Sequence, residues 1–238
     1  MSLLSKAEAM TMTNSDSPRV GRRERNMAEK RERIVQVAAR LFAERSFDEV
    51  TTQLVSDRAD VAAGTLFRYA ASKSELLLLV YNEHFRSAIE EGEARAQAIT
   101  DLAEAIFALV EPVLVHAREY GANSSVYQRE LLFGAPSEPQ RSEGLALVRR
   151  LEAAIAGRLE ESVPDANDAR QAAATIFAVT HLAVARDATG AHAEFDVLGD
   201  LEVQIAQVVA GFLTSHLPRY SPGGPRNANR SDERRDES

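Results

Sequence analysis

Cysteine and tryptophan are both absent from the 238 residues. Without thiols there is no disulfide framework and no thiolate metal site, which suits a reducing compartment. Glycine (12) and proline (8) are few and thin between Arg31 and Leu217, so little interrupts helical sequence there. Long hydrophobic runs are missing as well: Leu76–Tyr81, LLLLVY, falls far short of a bilayer span. The opening MSLLSKAEAM has neither a basic start nor a long apolar core, and does not read as a secretory signal. A cytoplasmic location with no membrane partner is therefore expected. There is no nucleophile elbow, no HExxH and no phosphate-binding glycine loop. His84, His116, His181, His192 and His216 have no metal-ligand spacing. No catalytic residue, metal or cofactor is expected.

What remains is rich in Ala, Leu, Glu and Arg, with 45% apolar residues, enough for a substantial core. The composition predicts an all-α protein. Its net charge of -8 argues at first against a nucleic-acid partner. The distribution argues otherwise, because residues 18–75 hold twelve Lys and Arg against nine Asp and Glu, whereas 76–238 hold fifteen against twenty-five. A small basic head on an acidic body fits nucleic-acid binding through one end. Solvated helix faces are the alternative.

Residues 1–22 form a polar tail without periodicity, expected to be disordered. From Ala28 to Glu44 the apolar Ile34, Val35, Ala38, Leu41 and Phe42 lie on one helical stripe. Two short helices follow, Thr52 to Arg58 and Ala63 to Tyr69. Six longer ones are predicted near 73–98, 101–119, 124–133, 138–161, 166–188 and 197–216, separated by turn residues such as Gly121, Gly134, Pro164 and Gly190. The domains expected are a head over 23–72 and a body over 73–218, with a Pro/Gly-rich, charged and disordered tail over 219–238.

The segment RERIVQVAARLFAERSFDEVTTQLVSDRADVAAGTLFRYAASKSELLLLVY, Arg31 to Tyr81, carries the elements A..LF, TT, A.V..GTLF.Y and SK.ELL in order. It closely resembles the DNA-binding domain of TetR/AcrR-type transcriptional regulators. The resemblance covers about a fifth of the chain. It implies a three-helix helix-turn-helix head, a six-helix ligand-binding and dimerisation body, and a homodimer that represses transcription from a palindromic double-stranded DNA operator.

Elementary chemistry gives the head residues their jobs. Leu54, Val55, Val61, Leu66 and Phe67 can plug the angle between the short helices, with Leu41 and Phe42 behind them. Gly64, in the first turn of the third helix, lets DNA approach closely. Arg68 offers a fork of donors to guanine, and Thr65 can reach a base or a phosphate. Tyr69 and Lys73 suit phosphate contacts. Thr51 and Thr52 open the second helix, Thr51 as its cap, where backbone N–H groups can hold a phosphate; Gln53 is the base reader there. Arg19, Arg22, Arg23 and Arg25 make a basic arm suited to a minor groove, or a solvated tail. Against the family pattern, Ser46 and Asp60 replace glycines, at about 1 kcal/mol each if left-handed. Ala62 replaces a capping serine, Ala70 an aromatic residue and Phe67 a tyrosine.

In the body, Leu198, Leu201, Ile205, Val208 and Phe212 form one seam and Ala173, Ile176, Phe177, Thr180 and Val184 another. Both suit a four-helix dimer interface or packing within one chain. Phe85, Phe107, Val110, Leu114, His116, Tyr127, Leu131, Phe177 and His181 are the candidate lining of a pocket for an apolar small-molecule effector, with Phe133 nearby in the pattern and ordinary core the alternative. Glu111-Pro112 should kink its helix and open space beside it. A helical dimer with a degenerate head, acting through protein partners, is the competing function.

Overall fold

The computed structural model describes residues 21–136, 138–191 and 196–216. The expected terminal tails, Arg19 and His192 fall wholly or largely outside those residues. Nine α-helices and no strand occur among the described residues: α1 (Arg22–Glu44), α2 (Thr52–Arg58), α3 (Ala63–Leu66), α4 (Lys73–Ala96), α5 (Leu102–Arg118), α6 (Asn123–Phe133), α7 (Pro139–Ser162), α8 (Ala166–Thr189) and α9 (Val197–Ser215). The all-α expectation holds.

Helix ends follow local chemistry. Thr51, Ser72 and Asp101 each accept a backbone N–H three residues on, at 3.1, 3.0 and 2.9 Å. Gly190 ends α8 in the left-handed region, φ 65°. At the start, α1 begins at Arg22 rather than Ala28, because the carboxylate of Glu24 accepts the Gly21 N–H at 3.0 Å and satisfies a free donor there. The backbone of Arg22, Arg23 and Arg25 is therefore helical, not a loose arm.

The apolar residues divide between two clusters. One fills the angle between α1, α2, α3 and the first half of α4, around Ile34, Phe42, Val55 and Leu66, and reaches Tyr120, Tyr127 and Leu131. The other joins the far half of α4 to α5, α7, α8 and α9 around Ile106, Leu151, Ile155 and Ile205. Phe85 and Phe177 pack against both clusters. Close approach of α4 and α5 depends on Gly92, where a Cβ would stand 2.5 Å from the Leu109 carbonyl oxygen.

Helix α5 runs on through Pro112. The dimer-seam expectation needs correction. Both proposed dimer seams point inward, since Leu201, Ile205 and Phe212, like Ala173, Ile176, Thr180 and Val184, are buried within one chain. The faces left outward carry Ala174, Ala178 and Leu182 on α8 and Val203, Ala206, Ala210 and Leu213 on α9. Helix α9 is, moreover, long and apolar enough by composition to cross a bilayer, with mean hydropathy 1.3 and 22% of that window buried. Asp200 and Glu202 interrupt its run.

Candidate nucleic-acid interface and effector cavity

The head presents a polar edge built by α2 and α3. Gln53, Gly64 and Arg68 are exposed; Thr52, Thr65, Tyr69 and Lys73 are half-buried. A Cβ on Gly64 would meet nothing within 4 Å, and its φ is not in the left-handed region, so neither internal packing nor backbone geometry requires glycine there. Gln53 already donates to Asp57 at 2.7 Å. Tyr69 donates its hydroxyl proton to the Met27 carbonyl at 3.0 Å and braces α1.

Lys73 is also engaged internally. Its Nζ donates to the Phe47 carbonyl at 3.0 Å and lies 4.2 Å from the centre of the Phe47 ring. The ammonium clamps the turn between α1 and α2, with protons left for a phosphate. Phe67 is no plug: α3 closes after Leu66, and Phe67 stands 48% exposed on the outer side, an apolar contact for a thymine methyl or a sugar. Of the glycine replacements, Asp60 does sit left-handed at φ 51°. Ser46 does not; at φ -63° and ψ 154° it caps the 3₁₀ turn Phe47–Glu49, its hydroxyl donating to Glu49 at 2.7 Å. That hydroxyl and the Ser46 N–H hold the Glu49 carboxyl below its ordinary range. Ala62 leaves α3 without a side-chain cap.

The head is tied to the body by one asparagine that sequence reasoning passed over. Asn123, 4% exposed at the start of α6, accepts from the Phe47 N–H at 2.7 Å and donates to the carbonyls of Phe42 and Arg45 at 2.7 and 2.8 Å. A second tie runs from the start of α4, where Glu75 accepts the Gln140 N–H at 3.0 Å. Burial pushes the Glu75 carboxyl up.

Beyond these ties, between α4, α5, α6 and α8, lies a cavity of about 610 Å³, open mouth included. About 70 Å³ of it is open to the centre of a water-sized sphere. Six of the nine candidate lining residues face it: Phe85, His116, Tyr127, Leu131, Phe177 and His181. Phe107, Val110 and Leu114 do not; they pack into the body core. Helix α5 turns the stripe Val113, His116 and Ala117 to the cavity, with Tyr120 in the turn just past its end, and the other three lie on the neighbouring stripe. Phe133 is 81% exposed.

Tyr81, His84, Tyr120, Ser124, Gln128 and Thr180, none of them expected at the cavity, complete the polar part of the wall. Most are already engaged. Tyr120 hydrogen-bonds His84; Tyr127 donates to Asn82 at 2.9 Å and Gln128 to the His181 carbonyl at 2.9 Å. Ser124 and Thr180 donate to backbone carbonyls of Ala117 and Ile176 at 2.6 and 2.8 Å. The exceptions are the Tyr81 hydroxyl and His116 Nδ1, buried without a partner. Burial lowers the pKa of His84 and His181, which favours the neutral rings.

A helix-turn-helix head joined to a helical body with an internal cavity defines a class of DNA-binding regulator. Residues 34–80 match the family model described as bacterial regulatory proteins, tetR family. The N-terminal domain is thus that of TetR-family transcriptional regulators, which are not enzymes. The chain is 39% identical over 57 residues to the HTH-type transcriptional repressor KstR of Mycobacterium tuberculosis, a match spanning 24% of this chain and 26% of that repressor. The whole fold is similar to that of the FadR regulator from Bacillus subtilis, solved in complex with stearoyl-CoA (TM-score 0.58, 18% identity, 76% of this chain and 98% of that one). It is also similar to a TetR transcriptional regulator from Rhodococcus sp. RHA1 (TM-score 0.59, 16% identity, 80% and 99%).

Proposed function

We propose that this chain is a ligand-responsive repressor that binds a palindromic operator as a homodimer in the cytoplasm. One observation carries the reading: the cavity sits where the head core meets the body core, and Phe85 and Phe177 line it while packing against both. The head ends near residue 72, and α4 begins there as one rod whose first half packs in the head core and whose second half packs in the body core. A molecule entering the cavity moves α4 or α6, and with them the head, provided it binds the two arrangements with different affinity. KstR, described as a repressor, and FadR, held with stearoyl-CoA, support the same reading.

In the head, Arg68, Gln53 and Thr65 read bases, Gly64 admits the duplex, and Thr52, Tyr69 and Lys73 meet phosphates. The small outward residues of α8 and α9 form the dimer face, which sets two heads one helical turn apart. The competing reading, a dimer that works through protein partners, draws support from the uncapped α3 and the internally engaged Lys73.

Operator selection from random DNA, repeated at two salt concentrations, separates them. Arg68→Ala is expected to change the preferred sequence, whereas Lys73→Ala weakens all sequences alike and lowers the salt slope by about one. Recovery of no preferred sequence by the wild-type chain decides for the protein-partner reading.

A further inference from the structure

We propose, resting on the reading of this cavity as the effector site, that it takes an uncharged, largely apolar molecule bearing a hydroxyl or carbonyl oxygen. No Lys, Arg, Asp or Glu is among the residues that line it. A carboxylate, phosphate or ammonium enclosed there would lose its hydration and find no counter-charge. Burial holds His84 and His181 toward their neutral forms, and the third ring, His116, already faces the carboxylate of Glu91, which offsets any positive charge there.

The wall nevertheless asks for one polar group. Tyr81 is 4% exposed, its ring lies against Tyr120 and Tyr127, and its hydroxyl has no partner. An unpaired buried hydroxyl destabilises the free protein, so a ligand oxygen that accepts its proton gains affinity. His116 adds the complementary group. Its Nε2 lies 3.1 Å from the Glu91 carboxylate, and the unpartnered Nδ1 is left to share a hydrogen bond with a ligand hydroxyl, which can both give and take a proton.

Three probes of similar shape separate the terms: β-naphthol (neutral, one hydroxyl), naphthalene (no polar group) and β-naphthoate (charged). Each is titrated against the full chain at neutral pH, with melting temperature and direct binding as readouts. β-Naphthol is expected to raise the melting temperature and to bind about tenfold more tightly than naphthalene, the worth of one hydrogen bond. β-Naphthoate is expected to leave it unchanged. Tyr81→Phe should melt at or above the wild-type temperature without ligand, since it removes an unpaired group, and should reduce the preference for naphthol over naphthalene to the part that His116 supplies. A hydroxyl that only braces the fold would instead lower the melting temperature.

Binding of β-naphthoate as tight as that of β-naphthol, absence of binding by all three, or full naphthol preference in Tyr81→Phe would overturn the assignment. Release of operator by β-naphthoate would keep the sensor reading and sink only the ligand class. Binding of β-naphthol that leaves operator affinity untouched would do the reverse.

Discussion

Head and body use their apolar residues differently. In the head, Ile34, Phe42, Val55 and Leu66 converge on one small core, and the short α2 and α3 leave their polar atoms at the surface. In the body, long helices have more than one apolar stripe, and the fold chooses which stripe turns inward: Ile205 and Phe212 are buried while Val203 and Leu213 stay outside on the same helix. The head therefore acts through particular atoms at fixed spacing. The body acts through the shape of the space it leaves, and many sequences can leave a similar space.

If the two regions are separate units held by few ties, cutting a tie should split their stabilities. Asn123→Ala removes three hydrogen bonds and strands buried backbone groups of the head, at an expected cost of about 2–4 kcal/mol. Hydrogen exchange should show protection lost across α1 to α3 and kept in α7 to α9. Uniform loss in both regions would show one cooperative unit instead.

A smaller effect is expected within the head alone. Asp60→Gly relieves the left-handed residue at the corner between α2 and α3 and should stabilise by about 0.5–1 kcal/mol, measured by denaturant unfolding. A head that gains stability this way without change in exchange rates in the body sharpens the same division.

The smallest effect belongs to the body. The carbonyl of Phe212, then Asp165 and Asp168, raise the pKa of the half-buried His216 above its ordinary 6.5. Its contribution is complete below that ordinary value and is lost as pH rises through the raised one. The difference in melting temperature between wild type and His216→Gln should therefore shrink from pH 6 to pH 8.5. The opposite slope would mean that the ring is not held by the carboxylates of α8.

Legibility in the sequence follows the same division. Helix positions came through to within a few residues in α2 and α4 to α9, because capping residues and breaks mark them chemically: Ser72, Asp101, Gly190. The beginning of α1 was missed since only a Glu24 contact to Gly21 extends it. The polar edge of the head was readable from residue type, but Phe67 was not, because an apolar side chain gives no sign of which way a one-turn helix will close. In the body, spacing showed that α5 was amphipathic but not which of two adjacent stripes met the cavity. Hence the spacing points to Phe107, Val110 and Leu114, whereas Val113 and Ala117, beside His116, are the α5 residues that face the cavity. Asn123 was invisible because its three partners are backbone atoms about eighty residues away in the chain.

The open space around Gly64 has an evolutionary consequence. Any residue placed there should fold as well as glycine or, by the helix preference of side chains, slightly better. Selection for cellular abundance is then blind to this position or favours its loss, and selection for operator occupancy alone can retain it. A library of substitutions at Gly64 should therefore separate the two pressures, with protein levels flat across the library and occupancy falling as the new side chain grows.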